Sequence, residues 1–231
     1  MTRVLQLEGL TPYAPAHALQ EALVDARRAG DLPDVLLLLE HAETITVGRR
    51  EVGLEGVIAP GGVPVVRIER GGEATWHGPG QLVAYPIVAL DGPRRDVHGH
   101  LRALEQAVIA LLANHGVQAG RDPRNAGVWV AGRKICSVGI AVRQWVAWHG
   151  LALNLTSDPA GFARIRPCGF DAGVMTRLAD HVAACPEPAA LAPTLAAHLV
   201  ASLALPPVTR TVHARLADAD AVADLVDALR D

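Results

Sequence analysis

The sequence predicts an α/β fold of the α+β type, in which a mixed, mainly antiparallel sheet is flanked by helices. Half of the 231 residues are hydrophobic and 19% are charged, a composition that can bury a large core. Three strand-like runs between residues 126 and 155 follow one another without a helix, which favours antiparallel hairpins over a doubly wound parallel sheet. No repeat or long linker interrupts the chain, so we expect a single domain over residues 1–231.

The N-terminal half combines short strands with two helices. Residues 15–30 have helical periodicity, with Gly30 as the C-terminal stop. Residues 96–116 predict a longer helix, which Asp96 would cap and Gly116 would end. Apolar runs predict strands at residues 4–10, 34–41, 44–48, 63–70 and 81–90.

The C-terminal half begins with hairpins and ends with helices. The most apolar region, residues 189–208, contains Pro193 and His198 and is rich in alanine. It therefore indicates a packed helix rather than a membrane span, which needs ~20 strongly apolar residues. The patterns predict strands at 126–132, 133–142 and 146–155, and helices at about 189–203 and 216–230.

Composition also limits the partners and cofactors. A net charge of −3 and only 3% aromatic residues argue against a nucleic-acid partner. The first residues lack the apolar core of a signal peptide, so we expect a cytoplasmic protein with no membrane partner. Cys136, Cys168 and Cys185 show no CxxC spacing, which argues against a disulfide framework or a cysteine zinc site. We expect neither a metal nor a cofactor.

Four stretches place small and polar residues inside apolar surroundings: "RGGEATWHGPGQ" (70–81), "RKICSVGIAV" (133–142), "WHGLALN" (148–154) and "IRPCGF" (165–170). The first matches neither a dinucleotide fingerprint nor a P-loop. It is either an ordinary connection or a loop whose glycines let a ligand lie against the backbone. No metal-ligand spacing accompanies His77 or His149, so two structural histidines are favoured over a shared metal.

The three cysteines differ in their surroundings. Cys136 lies in a strand-like run, where a free cysteine is a small hydrophobe. Cys185 lies in a proline-rich connection. Cys168 follows a proline on a turn, with Arg164 and Arg166 just upstream, and reactive cysteines occupy such electropositive, open positions. Cys168 is therefore the candidate nucleophile among them.

Lys134 is the only lysine in the sequence, and the other twenty residues counted as Lys or Arg are all arginine. Arginine stays protonated in proteins, whereas lysine can exchange its proton. A chain that otherwise uses arginine has reason to keep a lysine where proton exchange is needed. Chance survival of one lysine at a hairpin is the competing interpretation.

In these stretches, the sequence resembles the lipoyl(octanoyl) transferase family of lipoate biosynthesis. The matching blocks keep the order and spacing of that family over about half of the chain. Two departures are Trp76, where tyrosine is usual, and Ala42, where proline commonly follows the histidine. The blocks are residues 36–50, 70–86, 132–143, 149–154 and 166–170.

The resemblance implies the fold of biotin and lipoate protein ligases and the role of an acyltransferase. The donor would be octanoyl-acyl carrier protein, and the acceptors lysines on lipoyl domains of 2-oxoacid dehydrogenase complexes and on glycine cleavage H protein. Cys168 would form a thioester intermediate with Lys134 as its partner. The implied octanoyl pocket comprises Arg70, Gly71, Gly72, Glu73, Ala74, Thr75, Trp76, His77, Ser137, Val138, Gly139, Gly150, Leu151 and Ala152.

The arginines predict a docking surface, and two other functions compete with acyl transfer. The protein partners in this family are typically acidic, so Arg49, Arg50, Arg70, Arg164 and Arg166 are candidate docking residues. An ATP-dependent lipoate or biotin ligase would share the fold but would not need a nucleophilic cysteine. A silent binding domain would need neither the thiol nor the lysine.

Overall fold

The computed structural model describes residues 1–230, apart from the side chain of Cys168. Within residues 1–230, five short 3-10 helices connect the elements, including Pro159–Arg164 and Pro167–Gly169. The strands are β1 Thr2–Thr11, β2 Asp34–His41, β3 Thr44–Val47, β4 Val65–Arg67, β5 Ala74–His77, β6 Gln81–Ala89, β7 Gly120–Asp122, β8 Asn125–Val130, β9 Arg133–Arg143, β10 Val146–Asn154 and β11 Val208–Ala214. The α-helices are α1 Tyr13–Ala29, α2 Val97–Ala113, α3 Pro188–Ser202 and α4 Val222–Arg230.

Eight strands form the main sheet in the order β11-β1-β2-β6-β10-β9-β8-β7. Strand β1 is parallel to both of its neighbours, and the pairs from β2 to β6 onward are antiparallel. A smaller sheet places β3 between a parallel β4 and an antiparallel β5. The predicted mixed, mainly antiparallel sheet is confirmed.

Both faces of the main sheet are covered by helices. Leu36 and Leu38 of β2 belong to a core packed against α2 and α3, while Val35 and Leu37 belong to a second core packed against α1 and α4. Because successive side chains of a strand point to opposite faces, a strand buried on both sides must be apolar at every position. This double burial explains the continuous apolar run "VLLLL".

The pairing of β9 with β10 sets the relative positions of residues that line the site. In the pairing of β9 with β10, Ser137 is opposite Ala152, and Gly139 is opposite Gly150. A β-carbon at Gly150 would lie 2.2 Å from the Ala84 carbonyl oxygen of β6. Only glycine allows this close approach, so the position of β10 depends on it.

The predicted strands and helices are present, with shifted ends. Three strands, β5, β7 and β11, were not predicted. The predicted helix at 216–230 forms only from Val222. Among residues 1–230, no helix has both the length and the apolar character that crossing a membrane would require.

Candidate active site

A cavity of about 340 Å³ lies where the main sheet meets the small sheet. Strands β9 and β10 form one side of it, and residues 70–77 form the other. The Gly71 amide donates a hydrogen bond to the Ile140 carbonyl oxygen of β9 at 2.9 Å. A β-carbon at Gly139 would lie 3.1 Å from the Gly71 carbonyl oxygen, so a glycine there lets the two segments approach closely.

The cavity brings together Lys134 and nearly all of the residues that the sequence assigned to acyl binding. They come from three separate parts of the chain. The pairing of β9 with β10 and the hydrogen bond from Gly71 to Ile140 place these parts side by side. The assigned residues that line the cavity are Arg70, Gly71, Gly72, Glu73, Ala74, Thr75, His77, Ser137, Val138, Gly139, Gly150, Leu151 and Ala152.

Trp76 is not among the residues that line the cavity. Its neighbours Thr75 and His77 do line it, and the alternation along β5 turns Trp76 to the opposite face. The indole is buried and packs edge-on against Phe162, with ring centroids 5.2 Å apart. The structure therefore gives Trp76 a packing position rather than a place in the cavity.

Lys134 is 2% exposed and lies on β9 at the cavity. Its Nζ donates a hydrogen bond to Asn125 Oδ1 of β8 at 2.6 Å and lies 5.8 Å from the ring centroid of Trp129. Burial of an ammonium is costly unless hydrogen bonds and opposite charges offset it. A lysine in this position is thus held in place by specific contacts, unlike a lysine on a solvated hairpin.

The turn that contains Cys168 is the 3-10 helix Pro167–Gly169. The side chain of Cys168, the predicted nucleophile, lies outside the part of the chain that the structure describes. The neighbouring backbone lies beside the cavity, because a β-carbon at Gly169 would be 3.7 Å from a carboxylate oxygen of Glu73, which lines the cavity. Downstream, the Thr176 amide donates to the Lys134 carbonyl oxygen at 2.9 Å. The segment that follows Cys168 therefore runs from the glycine-rich wall to the strand of the lone lysine.

Cys136 packs in the core as expected, and Cys185 packs against the same core from its proline-rich connection. Cys136 lies in the core on β9, and burial raises the pKa of its thiol to about 12. Cys185 is half-buried, and burial also raises its pKa. Neither thiol forms a reactive thiolate readily at neutral pH.

The inner wall of the cavity is polar, and sequence reasoning missed most of it. Tyr13 and Tyr85 line the cavity together with His77. The Tyr85 hydroxyl and His41 Nε2 are 2.8 Å apart, and burial lowers the pKa of His41 to about 4. His77 Nδ1 and Gln81 Oε1 are 2.7 Å apart, and burial also lowers the pKa of His77. These imidazoles are therefore neutral at pH 7.

Arg70 lies in this wall and not on the surface. Its Nη2 donates to the backbone and side-chain oxygens of Thr46, at 2.9 and 3.0 Å. At 9% exposure, its guanidinium is buried against the cavity. The expectation that Arg70 docks acidic partners is wrong. Arg50, by contrast, is exposed and lies at the cavity.

Sequence comparison identifies the relatives of this chain. Residues 12–200 match the family described as Lipoyl protein ligase A/B catalytic domain. An octanoyltransferase of Gloeobacter violaceus is 49% identical over 172 residues, which cover 74% of this chain and 78% of that protein. An octanoyltransferase of Rubrobacter xylanophilus is 50% identical over 174 residues, which cover 72% and 78%. The chain belongs to the octanoyltransferases of this family.

The octanoyltransferase-family chain also shares its fold with a lipoate-protein ligase A solved with bound ATP. The two superpose with a TM-score of 0.74 at 18% identity, over 100% of this chain and 95% of the other. At this identity the likeness concerns the fold alone. It confirms the expected ligase-like fold.

Proposed function

We propose that this chain transfers an octanoyl group from octanoyl-acyl carrier protein to a lysine of a lipoyl domain, through a thioester at Cys168. The observation that supports it best is the buried lone lysine on the cavity wall, joined by backbone pairing to the segment that follows Cys168. Membership of the octanoyltransferase family supports the same reaction. The acceptors that we propose are lipoyl domains of 2-oxoacid dehydrogenase complexes and glycine cleavage H protein.

In the first half-reaction, the Cys168 thiolate attacks the carbonyl carbon of the octanoyl thioester. A carbon–sulfur bond forms to Cys168 as the bond to the carrier sulfur breaks. The carrier sulfur leaves as a thiolate and takes a proton from the Lys134 ammonium. Because an ammonium has no lone pair, the protonated lysine does not compete for the acyl group.

In the second half-reaction, an amine from the acceptor domain attacks the enzyme thioester. An amide forms, the Cys168 thiolate leaves, and the proton lost by the amine returns to Lys134. Each turnover thus restores a thiolate and an ammonium. Arginine could supply the charge but not the proton exchange.

The cavity matches the apolar part of the substrate. Ile68, Val138 and Leu151 line it, and burial of an octanoyl chain contributes roughly 5 kcal/mol at about 0.8 per methylene. Gly71, Gly72 and Ala152 leave room for the chain along the wall. The thioester arrives already activated, so the reaction needs no nucleotide.

Intact mass spectrometry after mixing with octanoyl-carrier protein tests the proposal. We expect one added octanoyl group that hydroxylamine removes, with no such adduct on Cys168→Ser. Cys185→Ser is the matched control and should be acylated like the parent. Lys134→Arg should acylate slowly with its fold intact. Labelling of Cys168→Ser through an amide, or parent rates for Lys134→Arg, would refute this chemistry.

The competing function is an ATP-dependent ligase, since a lipoate-protein ligase A with bound ATP has the same fold. Such an enzyme activates a free acid as an adenylate. Transfer from octanoyl-carrier protein in the absence of ATP decides between the two. A strict ATP requirement with free octanoate as donor would favour the ligase.

A further inference from the structure

His17, Glu69 and His149 converge beside the inner wall of the cavity from three elements that are remote in sequence. His17 lies on α1, Glu69 in the connection that leads to Arg70, and His149 on β10. Their nearest ligand atoms all lie within 4.8 Å of one another. His17 Nε2 is 3.0 Å from Glu69 Oε2, and His149 Nε2 is 3.6 Å from the same oxygen.

His149 gives this cluster an unusual feature. Its side chain is 2% exposed, and its Nε2 has no hydrogen-bond partner within the described part of the chain. Buried polar atoms normally find a partner, and an exception calls for an explanation. This nitrogen faces the Glu69 carboxylate at a distance too long for a hydrogen bond. Its neighbour Trp148 stacks on the imidazole at 4.2 Å and holds the ring in that orientation.

We propose that His17, Glu69 and His149 bind a divalent first-row transition cation, with Zn²⁺ as the best match. Two imidazoles, one carboxylate and an open fourth position form a common zinc donor set. With bonds of about 2.0 Å, tetrahedral ligand atoms lie about 3.3 Å apart. The two distances to Glu69 Oε2 fall on either side of that separation.

The surroundings fit the same assignment. His17 Nε2 donates a hydrogen bond to Glu69 Oε2 at 3.0 Å, so these two atoms already face each other, and a bound cation would take the place of the proton between them. The His17 and Glu69 side chains are 20% and 35% exposed, so an ion and a water can reach the site from solvent.

The bound ion would link α1 to two segments of the cavity wall. His149 lines the cavity, and Glu69 directly precedes Arg70, which also lines it. A cation would therefore fix this wall in place. The site itself requires no acyl transfer, so it stands apart from the proposed function.

The test uses the full-length chain after treatment with a chelator. Titration with Co²⁺ should give visible d–d absorption that saturates at one ion per chain, without a thiolate-to-cobalt band. Competition with a chromophoric chelator should give the Zn²⁺ affinity. His17→Gln and Glu69→Gln should each weaken binding at least tenfold, because each removes one ligand. The exposed His213→Gln is the matched control and should bind like the parent.

Other outcomes would overturn the proposal. The proposal is refuted if the parent forms no one-to-one complex with Co²⁺. It is also refuted if His17→Gln, Glu69→Gln and His213→Gln bind Zn²⁺ with equal affinity. A thiolate-to-cobalt band that disappears in Cys168→Ser would place the ion at the cysteine instead. If both ligand variants fail to fold, a cobalt-soaked crystal decides. An anomalous peak between the three side chains supports the site, and a peak elsewhere refutes it.

Discussion

Asn125 positions the lone lysine, because its Oδ1 accepts the hydrogen bond from Lys134 Nζ at 2.6 Å. A hydrogen bond to a charged group contributes about 1.5–3 kcal/mol, and loss of about 1.4 kcal/mol slows a reaction tenfold. We expect Asn125→Ala to lower the kcat of octanoyl transfer at least about tenfold, with little change in KM for the acyl donor.

Two further variants separate positioning from general damage. Asn125→Asp keeps an acceptor oxygen and should recover most of the activity lost by Asn125→Ala. Asn114→Ala removes an exposed amide at the end of α2 and should leave kcat unchanged. If Asn125→Ala raised only KM, or if the aspartate variant were equally slow, Asn125 would not act through the lysine.

At the scale of elements, the pairing of β10 with β6 depends on Gly150. A β-carbon there would lie 2.2 Å from the Ala84 carbonyl oxygen and 2.7 Å from Pro86 Cδ. Because backbone must move to admit a methyl group, we expect Gly150→Ala to lower the free energy of unfolding by about 1–3 kcal/mol. Urea unfolding measures this, and Gly173→Ala is the control, since open space surrounds that position. Equal stability of the two variants would contradict the prediction.

Elements with a local signal were predictable from sequence, and elements paired over long distances were not. The apolar run of β2 predicted a strand, and the structure shows that strand buried on both faces. β11 alternates between exposed and half-buried residues and pairs with β1 from the other end of the chain, so no local pattern marks it. β5 is only four residues long and lies inside a glycine-rich stretch that favoured a loop.

Residues of the candidate site were likewise predictable only where they carry a local sequence signal. Lys134 was found because it is unique in composition, and the glycines were found because they cluster in sequence. Tyr13, Tyr85 and Asn125 have ordinary sequence surroundings, and they reach the cavity only because α1, β6 and β8 meet there. Sequence alone therefore predicted which glycines and which lysine line the cavity, but missed most of the polar residues of its inner wall.

For the whole molecule, buried neutral histidines link stability to pH. Burial lowers the pKa of His41 and of His100 to about 4, against about 6.5 in an unfolded chain. Between these values the unfolded chain binds protons that the folded chain excludes. The free energy of unfolding therefore falls as pH falls from about 6.5 towards 4.

His100→Gln tests this linkage, because Nε2 of His100 is buried without a hydrogen-bond partner and its removal breaks none. One such histidine accounts for about 2 kcal/mol of the loss between about pH 7.5 and about pH 5. The variant should therefore lose less stability than the parent over that interval by about this amount, measured by urea unfolding at both pH values. The exposed His213→Gln should follow the parent. Identical pH dependence in His100→Gln and the parent would mean that the acid sensitivity arises from other groups, since a residue that cannot be protonated cannot contribute to it.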